Sequence, residues 1–412
     1  MYNLRKDILF SIITQLALML IALVINKLLS INLTVSDYGE FNIVKRASTV
    51  ASFTMLAGMG IAIPKYIPQS KNNQEKMKFL LSAFILIIFI SLVVLFFVFI
   101  LKKSINRYVF NNSDFVAISY CYACSIALLS FLYSYYRGFN KIISFNLVQI
   151  LIQFSVLLIT IFYSSNFLLY LWLNIIVSIL FFIFFIYYDL KNHFISILSF
   201  SIKKLYTYIK ELWSFGYSRM MGDFLLFSLT TLPLLIINFK FGSIDSAYFS
   251  VAITLTSMIS PIFSYIGVIL LPKVSQAISE NKISDIISLV NKFLLMYVLF
   301  SLLVIVIIYF FDDMLIRLFF SKSYLQSKDI LIIISFSILP NSIYLLLRNP
   351  IDAFSKTPYN TYNLVLSSTI GFIVMFWSKN LVEISKAYVL LQFLLGTISF
   401  FIWQKLKIKK NV

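Results

Sequence analysis

Four charged side chains stand in stretches of the chain that are otherwise apolar: Lys45 and Arg46 in one, Arg219 and Asp223 in another. At mid-depth in hydrocarbon a lysine, arginine or aspartate costs about 2.5–3.5 kcal/mol on insertion scales, so such residues are kept for pairing, binding or transport. Three of the four are cationic, and a guanidinium grips phosphate or carboxylate oxygens bidentately. The chemistry they point to is recognition of an anion. Arg219 and Asp223 are four apart and share a helical face. That spacing suits a self-neutralising pair, or a site in which Asp223 tunes Arg219 or couples to an ion. Lys45 and Arg46 are adjacent and point about 100° apart on a helix, so at most one centres on a given face.

The elements that carry them are set by composition. Of 412 residues, 60% are hydrophobic and 12% charged, and the mean hydropathy is +0.93. A soluble chain of this length has nowhere to hide so much apolar surface, so the bilayer is its solvent. Apolar runs long enough to span occur near 8–29, 41–64, 79–101, 115–136, 142–163, 167–188, 212–239, 246–271, 289–311, 325–347, 358–377 and 383–403. They predict an all-α integral membrane fold of about twelve transmembrane helices. With the N-terminus inside, the inner segments carry about twice as many Lys and Arg as the outer ones, which places both termini in the cytoplasm. Lys102, Lys103 and Arg107 run against that rule.

The net charge of +18 is read mainly as topogenic charge facing anionic lipid. It does not imply nucleic-acid binding, because no soluble domain presents a basic face. The first run is too long for a cleaved leader and lacks a small-residue cleavage site, so it reads as an anchor. Cys121 and Cys124 form a CxxC inside an apolar run and read as membrane-embedded thiols. The single histidine, His193, makes no metal cluster. No phosphate-binding GxxxxGK[ST] loop, HExxH or GxSxG is present, so neither an enzyme nor a cofactor is expected.

The chain also repeats itself. Asp37–Lys65 lies on Asp245–Lys273 without a gap, with Asp37 on Asp245, Phe41 on Phe249, Ser52 on Ser260 and Pro64-Lys65 on Pro272-Lys273. Gly138-Phe139-Asn140-Lys141 is echoed by Ala353-Phe354-Ser355-Lys356 at a slightly different shift. Six runs in each copy put the halves in the same orientation, related by a pseudo-two-fold along the membrane normal, as in parallel-repeat transporters. The expected organisation is an N-terminal bundle over 1–190, an amphipathic cytoplasmic linker over 191–211 and a C-terminal bundle over 212–412.

Transfer across the repeat selects residues. The second copy carries a polar stripe of Ser250, Thr254, Ser257 and Ser264 on one helical face. The first copy places Asn42, Arg46 and Thr49 on the first three, which assigns Arg46 to a cavity and Lys45, matched to Ile253, to an interface by snorkelling. Arg219 and Asp223 map back to Ser11 and Gln15. A polar cavity lined by Ser11, Gln15, Arg46, Thr49, Arg219, Asp223, Thr254 and Ser257 is expected, with Arg46, Arg219 and Lys45 as its cations. Pro64 and Pro272 are candidates for bending their helices or for ending them.

Asp37-Tyr38-Gly39-Glu40-Phe41, Gly58-Met59-Gly60 with Pro64, Arg137-Gly138, Phe215-Gly216, Ala247-Tyr248 and Leu271-Pro272 together resemble the polysaccharide-transporter family. These are oligosaccharide-repeat-unit flippases of O-antigen or capsule type, in a superfamily with the MATE-type exporters. The resemblance implies that a polyprenyl-pyrophosphate-linked oligosaccharide is moved from the cytoplasmic to the outer leaflet of a bacterial inner membrane by alternating access. Its implied partners are that substrate, membrane lipids and the polysaccharide polymerase machinery, with no metal. An ion-coupled multidrug or metabolite exporter is the alternative, and a membrane-embedded glycan polymerase or ligase a more distant one. Arg46→Ala and Arg219→Ala are each expected to abolish surface glycan while the protein stays in the membrane. Surface-glycan staining beside a membrane-fraction blot checks this, and normal glycan from both variants would sink the cationic-site idea.

Overall fold

The computed structural model describes residues 4–191, 202–261, 263, 274, 283–355 and 357–411. Among them the chain is helical throughout, in the order α1 (Leu4–Asn32), α2 (Val35–Leu56), α3 (Met59–Gln69), α4 (Asn73–Tyr108), α5 (Val116–Gly138), α6 (Ile142–Tyr163), α7 (Phe167–Leu190), α8 (Ile202–Phe241), α9 (Ser243–Ser257), α10 (Ile283–Phe319), α11 (Lys328–Ser335), α12 (Ile338–Phe354), α13 (Tyr359–Trp377) and α14 (Leu381–Asn411). Over its described residues, each apolar run read from the sequence coincides with a helix or a broken pair. Among the described residues nine helices are long and apolar enough to cross a membrane, or ten if the pair bent by 48° at α11 and α12 counts as one span. The chain is a multi-pass, all-α membrane protein.

The helix ends follow local chemistry. Thr34 caps α2 by accepting from the Asp37 amide at 3.1 Å, and Asp37 places a carboxylate in the first turn, where the helix dipole favours it. Asp245 stands in the first turn of α9, the position the repeat assigns to it. Asn72 caps α4 through the Glu75 amide at 2.8 Å. Glu75 in turn accepts from the Lys71 amide at 2.7 Å. Asn140 adopts the left-handed conformation in the α5–α6 turn, and Lys141 then pairs with Asp189 at 3.1 Å.

Two expectations about segment ends change. α4 and α10 continue well into 102–114 and 312–324, so those connectors are shorter than the hydropathy suggested. In the expected linker, 192–201, with His193 and Phe200, lies outside the described residues. Its last part, from Ile202, is the opening of α8. Leu205 is buried there and Tyr208 packs edge-on against Phe79 of α4, ring centroids 4.7 Å apart. That contact draws the start of α8 onto the first bundle.

Two compact units result, Met1–Thr231 and Leu232–Val412. In the first, α2 and α3 are two parts of one broken span. The break is at Ala57 and Gly58, with φ of 52° and 74°, and not at Pro64, six residues on. Gly58 sits against Gly216 of α8. A Cβ on Gly58 would fall 2.7 Å from the Gly216 Cα, and one on Gly216 2.5 Å from the Ala57 carbonyl oxygen. Backbone meets backbone, which only glycine at both positions permits. Around this point Leu56, Met59, Ile63, Leu132, Tyr136 and Leu212 form one buried cluster.

The second unit packs through small residues and buried polar pairs, as expected where lipid replaces water and apolar burial drives little association. Gly371 of α13 meets the Leu391 side chain, and Gly396 of α14 meets the Pro340 backbone. Asn363 donates to the Leu395 carbonyl at 3.0 Å and to Ser399 Oγ at 2.9 Å. The Lys240 ammonium covers the last carbonyls of α13, at Phe376 (2.7 Å) and at Ser378.

Gly58→Val and Gly216→Val are therefore expected to lower the midpoint of thermal unfolding in detergent, each by the equivalent of about 1–3 kcal/mol or more, as overpacking does. Gly222→Val, where an added Cβ meets nothing within 4 Å, serves as the control. Equal midpoints for all three would count against the backbone contact.

Candidate functional site

The site begins with a missing hydrogen bond. Pro64 lies inside α3 and has no N–H for the carbonyl four residues back, which belongs to Gly60. Arg137, in the last turn of α5, takes that carbonyl: its Nη2 donates to Gly60 O at 2.8 Å and lies 3.5 Å from Ser134 Oγ. The Phe145 ring of α6 stands 5.8 Å from the guanidinium carbon, within cation–π reach. Gly138, next in sequence, lets α5 approach α3, since a Cβ there would lie 3.2 Å from the Ile63 backbone oxygen.

The guanidinium opens onto a cavity of about 280 Å³ between α2, α3, α5 and α6, lined by Gly58, Gly60, Tyr133, Arg137, Phe145 and Gln149 among others. A second cavity of about 230 Å³ lies further along the same bundle, with Asn26, Lys45, Tyr122, Gln153, Tyr170 and Asn174 in its lining. Tyr133 lines both. In the second, the Lys45 ammonium is 5.7 Å from the Phe41 ring centroid. Asn174 donates to the Tyr170 carbonyl at 2.8 Å, while its Oδ1 is buried with no hydrogen-bond partner. No carboxylate is among the lining residues of either chamber. Among the described residues, neither Arg137 nor Lys45 makes an ion pair. The arrangement sets two cations among aromatic and amide neighbours with no carboxylate beside them.

The residues singled out by the repeat fall in several places. Lys45 lines the second chamber; Arg46, half-buried one residue on, is in the lining of neither. Transfer from α9 had assigned the cavity to Arg46 and the interface to Lys45. Thr254 there is only half-buried and Ser257 is exposed, so the stripe used as template is not one uniformly buried face. Ser257 donates to the Thr254 carbonyl at 3.1 Å and Thr49 to the Lys45 carbonyl at 2.7 Å, so both hydroxyls close on their own helices. Ser11 accepts from Asn146 at 2.9 Å, and Gln15 donates to Gln149 Oε1 at 3.2 Å. These two residues zip α1 to α6, and Gln15 reaches the first chamber only through Gln149. The α8 backbone is described through 219 and 223, but the Arg219 and Asp223 side chains lie outside the described residues, as does Pro272. Cys121 and Cys124 are free, half-buried thiols.

The structure adds lining residues the sequence reading had not placed in a site: Arg137, named there only as part of a motif, and Tyr133, Gln149, Gln153, Asn26 and Asn174. Two signals for them were present. Asn146, Gln149 and Gln153 repeat at helical spacing along α6, an amide stripe on one face. Pro64 four residues after Gly60 marks a carbonyl in need of a donor.

This is the fold of the MATE-type transporters. An inward-facing multidrug resistance MATE family transporter of the MOP superfamily superposes with a TM-score of 0.75 at 13% identity, over 96% of this chain and 95% of that one. The lipid II flippase MurJ in an inward closed conformation gives 0.74 at 17% identity, over 98% and 91%. A bent-form MATE transporter of Vibrio cholerae gives 0.57 at 15%, over 98% and 96%. No curated protein matches in sequence. Residues 4–278 match the model of the polysaccharide biosynthesis protein family, and the chain belongs to that family. It is a multi-pass membrane protein of that family with the fold of these transporters.

The α1–α6 zipper has a measurable consequence. Gln15→Leu and Gln149→Leu are each expected to destabilise the bundle, with a coupling of about 0.6 kcal/mol in the double-mutant cycle, the average for such bonds in membranes. Thermal unfolding of the four proteins in one detergent gives the cycle. Strict additivity would mean the amides do not pair.

Proposed function

We propose that this protein moves a polyprenyl-pyrophosphate-linked oligosaccharide from the cytoplasmic to the outer leaflet of a bacterial inner membrane, for surface polysaccharide of O-antigen or capsule type. The carrying observation is a pair of membrane-embedded chambers whose linings hold cations and no carboxylate, in a chain of the polysaccharide biosynthesis family. A lipid-linked oligosaccharide presents two negative phosphates at the junction of tail and sugar, and Lys45, exposed in the lining of the second chamber, supplies a matching charge. The lipid tail stays in the bilayer while the charged junction and the sugar cross. Excess Lys and Arg on the segments facing the N-terminal side puts both termini in the cytoplasm. Arg46 and Arg219 remain further candidates for the same anion, and Asp223 for tuning Arg219 or coupling to an ion. The polymerase machinery that extends surface glycans is the expected downstream partner.

Volume sets what each chamber holds. At about 280 and 230 Å³ they fall at or below the lower end of the roughly 300–1,000 Å³ that encloses a drug-sized ligand. They suit a diphosphate or a single sugar, and not a whole repeat unit. An exporter of organic cations would need a free buried carboxylate, and neither chamber offers one.

Complementation of a flippase-null strain tests the reading. Wild-type protein is expected to restore surface glycan, Lys45→Met to lose it and Lys45→Arg to keep part of it, with equal amounts in the membrane. Export of cationic dyes without restored glycan would favour the multidrug alternative instead.

A further inference from the structure

We propose that the Arg137 chamber is a separate docking site for the diphosphate of the substrate, at the end of the first unit where α1 begins, and that Lys45 marks a second station deeper in the same bundle. The proposal rests on the flippase reading above and assigns the loading step to residues that neither charge pattern nor repeat selected.

The guanidinium is set in place before any ligand arrives. Its two hydrogen-bond contacts, to Gly60 O and Ser134 Oγ, both fall on Nη2. Among the described residues Nη1 and Nε have no hydrogen-bond partner, so donors on two edges of the guanidinium are left for a ligand's oxygens. Phe145 backs the cation from α6. Gln149 accepts from Gln15 through Oε1, which leaves its NH2 as a donor, and Tyr133 brings a hydroxyl. Gly58 and Gly60 contribute wall without side chains, so a bulky charged group can approach the backbone. An arginine needed only to tie α5 to α3 would not require a cavity of about 280 Å³ in front of it.

Depth separates the two stations. Along α5 the linings run from Tyr122 in the Lys45 chamber to Arg137 in the other. At 1.5 Å per residue that is about 22 Å, most of the roughly 30 Å hydrocarbon thickness. The shared Tyr133 and the amides Gln149 and Gln153, one turn apart on α6, join them. An anion released by Arg137 thus has a polar track toward Lys45.

The test is binding to full-length protein in lipid nanodiscs, with farnesyl pyrophosphate, farnesyl monophosphate and farnesol as probes. Farnesyl pyrophosphate is expected to bind saturably and at least roughly tenfold more tightly than farnesol, the scale set by charge-assisted hydrogen bonds. Arg137→Gln should remove that preference and leave farnesol binding unchanged. Arg137→Lys should keep part of it. Pro64→Ala, which returns an N–H to Gly60, should weaken the diphosphate severalfold with the guanidinium still present. If Arg137→Gln does not yield monodisperse protein, the Lys and Pro64 variants carry the test. Diphosphate binding unaltered in Arg137→Gln, or in both other variants, overturns the site. Complementation separates this from the function: restored glycan with Arg137-independent binding sinks only the docking site, and Arg137-dependent binding without restored glycan sinks only the flippase reading.

Discussion

The first unit depends on one unfilled carbonyl. Pro64 cannot donate to Gly60, and a carbonyl left bare inside a membrane protein is costly, because no water is at hand to satisfy it. Arg137 satisfies it at 2.8 Å. Together with Ser134 Oγ, 3.4 Å from the same carbonyl, and the buried cluster around it, that bond holds α5 against the broken span and fixes the height and direction of a guanidinium. A cation at a helix end would otherwise swing toward the headgroups. The same bond explains why glycine recurs around it. Gly58 turns the chain through the left-handed region, Gly138 lets α5 close on α3, and Gly60 exposes its backbone to the arginine.

The charge balance of the bundle follows from the same economy of partners. Described carboxylates such as Asp114, Asp189, Asp312 and Asp313 are engaged with lysines near helix ends. The cations that line the chambers have aromatic rings and amides for neighbours instead. Phe41 faces Lys45 and Phe145 faces Arg137. Rings attract a cation without neutralising it, so both charges stay available to an incoming anion.

Most of the architecture was legible in the linear chain. Long apolar runs fall as helices because a backbone in hydrocarbon must satisfy itself within its own segment. Thr34 with Asp37 and Asn72 with Glu75 mark helix starts by local capping chemistry. The family was also within reach, through short motifs that turn out to be neighbours in space: Gly58 touches Gly216, and Arg137 holds Gly60.

The choice of site residues was legible only in part. Hydrophobicity and spacing singled out Lys45 as an intramembrane cation, and adjacency alone could not say whether it or Arg46 faces a cavity. That depends on how α2 is rotated against α1, α5, α6 and α7, which packing sets. Ser11 and Gln15 were marked as polar, but their partners Asn146 and Gln149 lie on α6, far along the chain. Arg137 stood out only as part of the Arg137-Gly138 motif and not as a site residue. Its role comes from Pro64, more than seventy residues earlier, through a carbonyl whose need for a donor is dictated by sequence and whose donor is chosen by the fold. Local chemistry determines which groups want partners, whereas tertiary structure decides which partner arrives and leaves a cavity beside it.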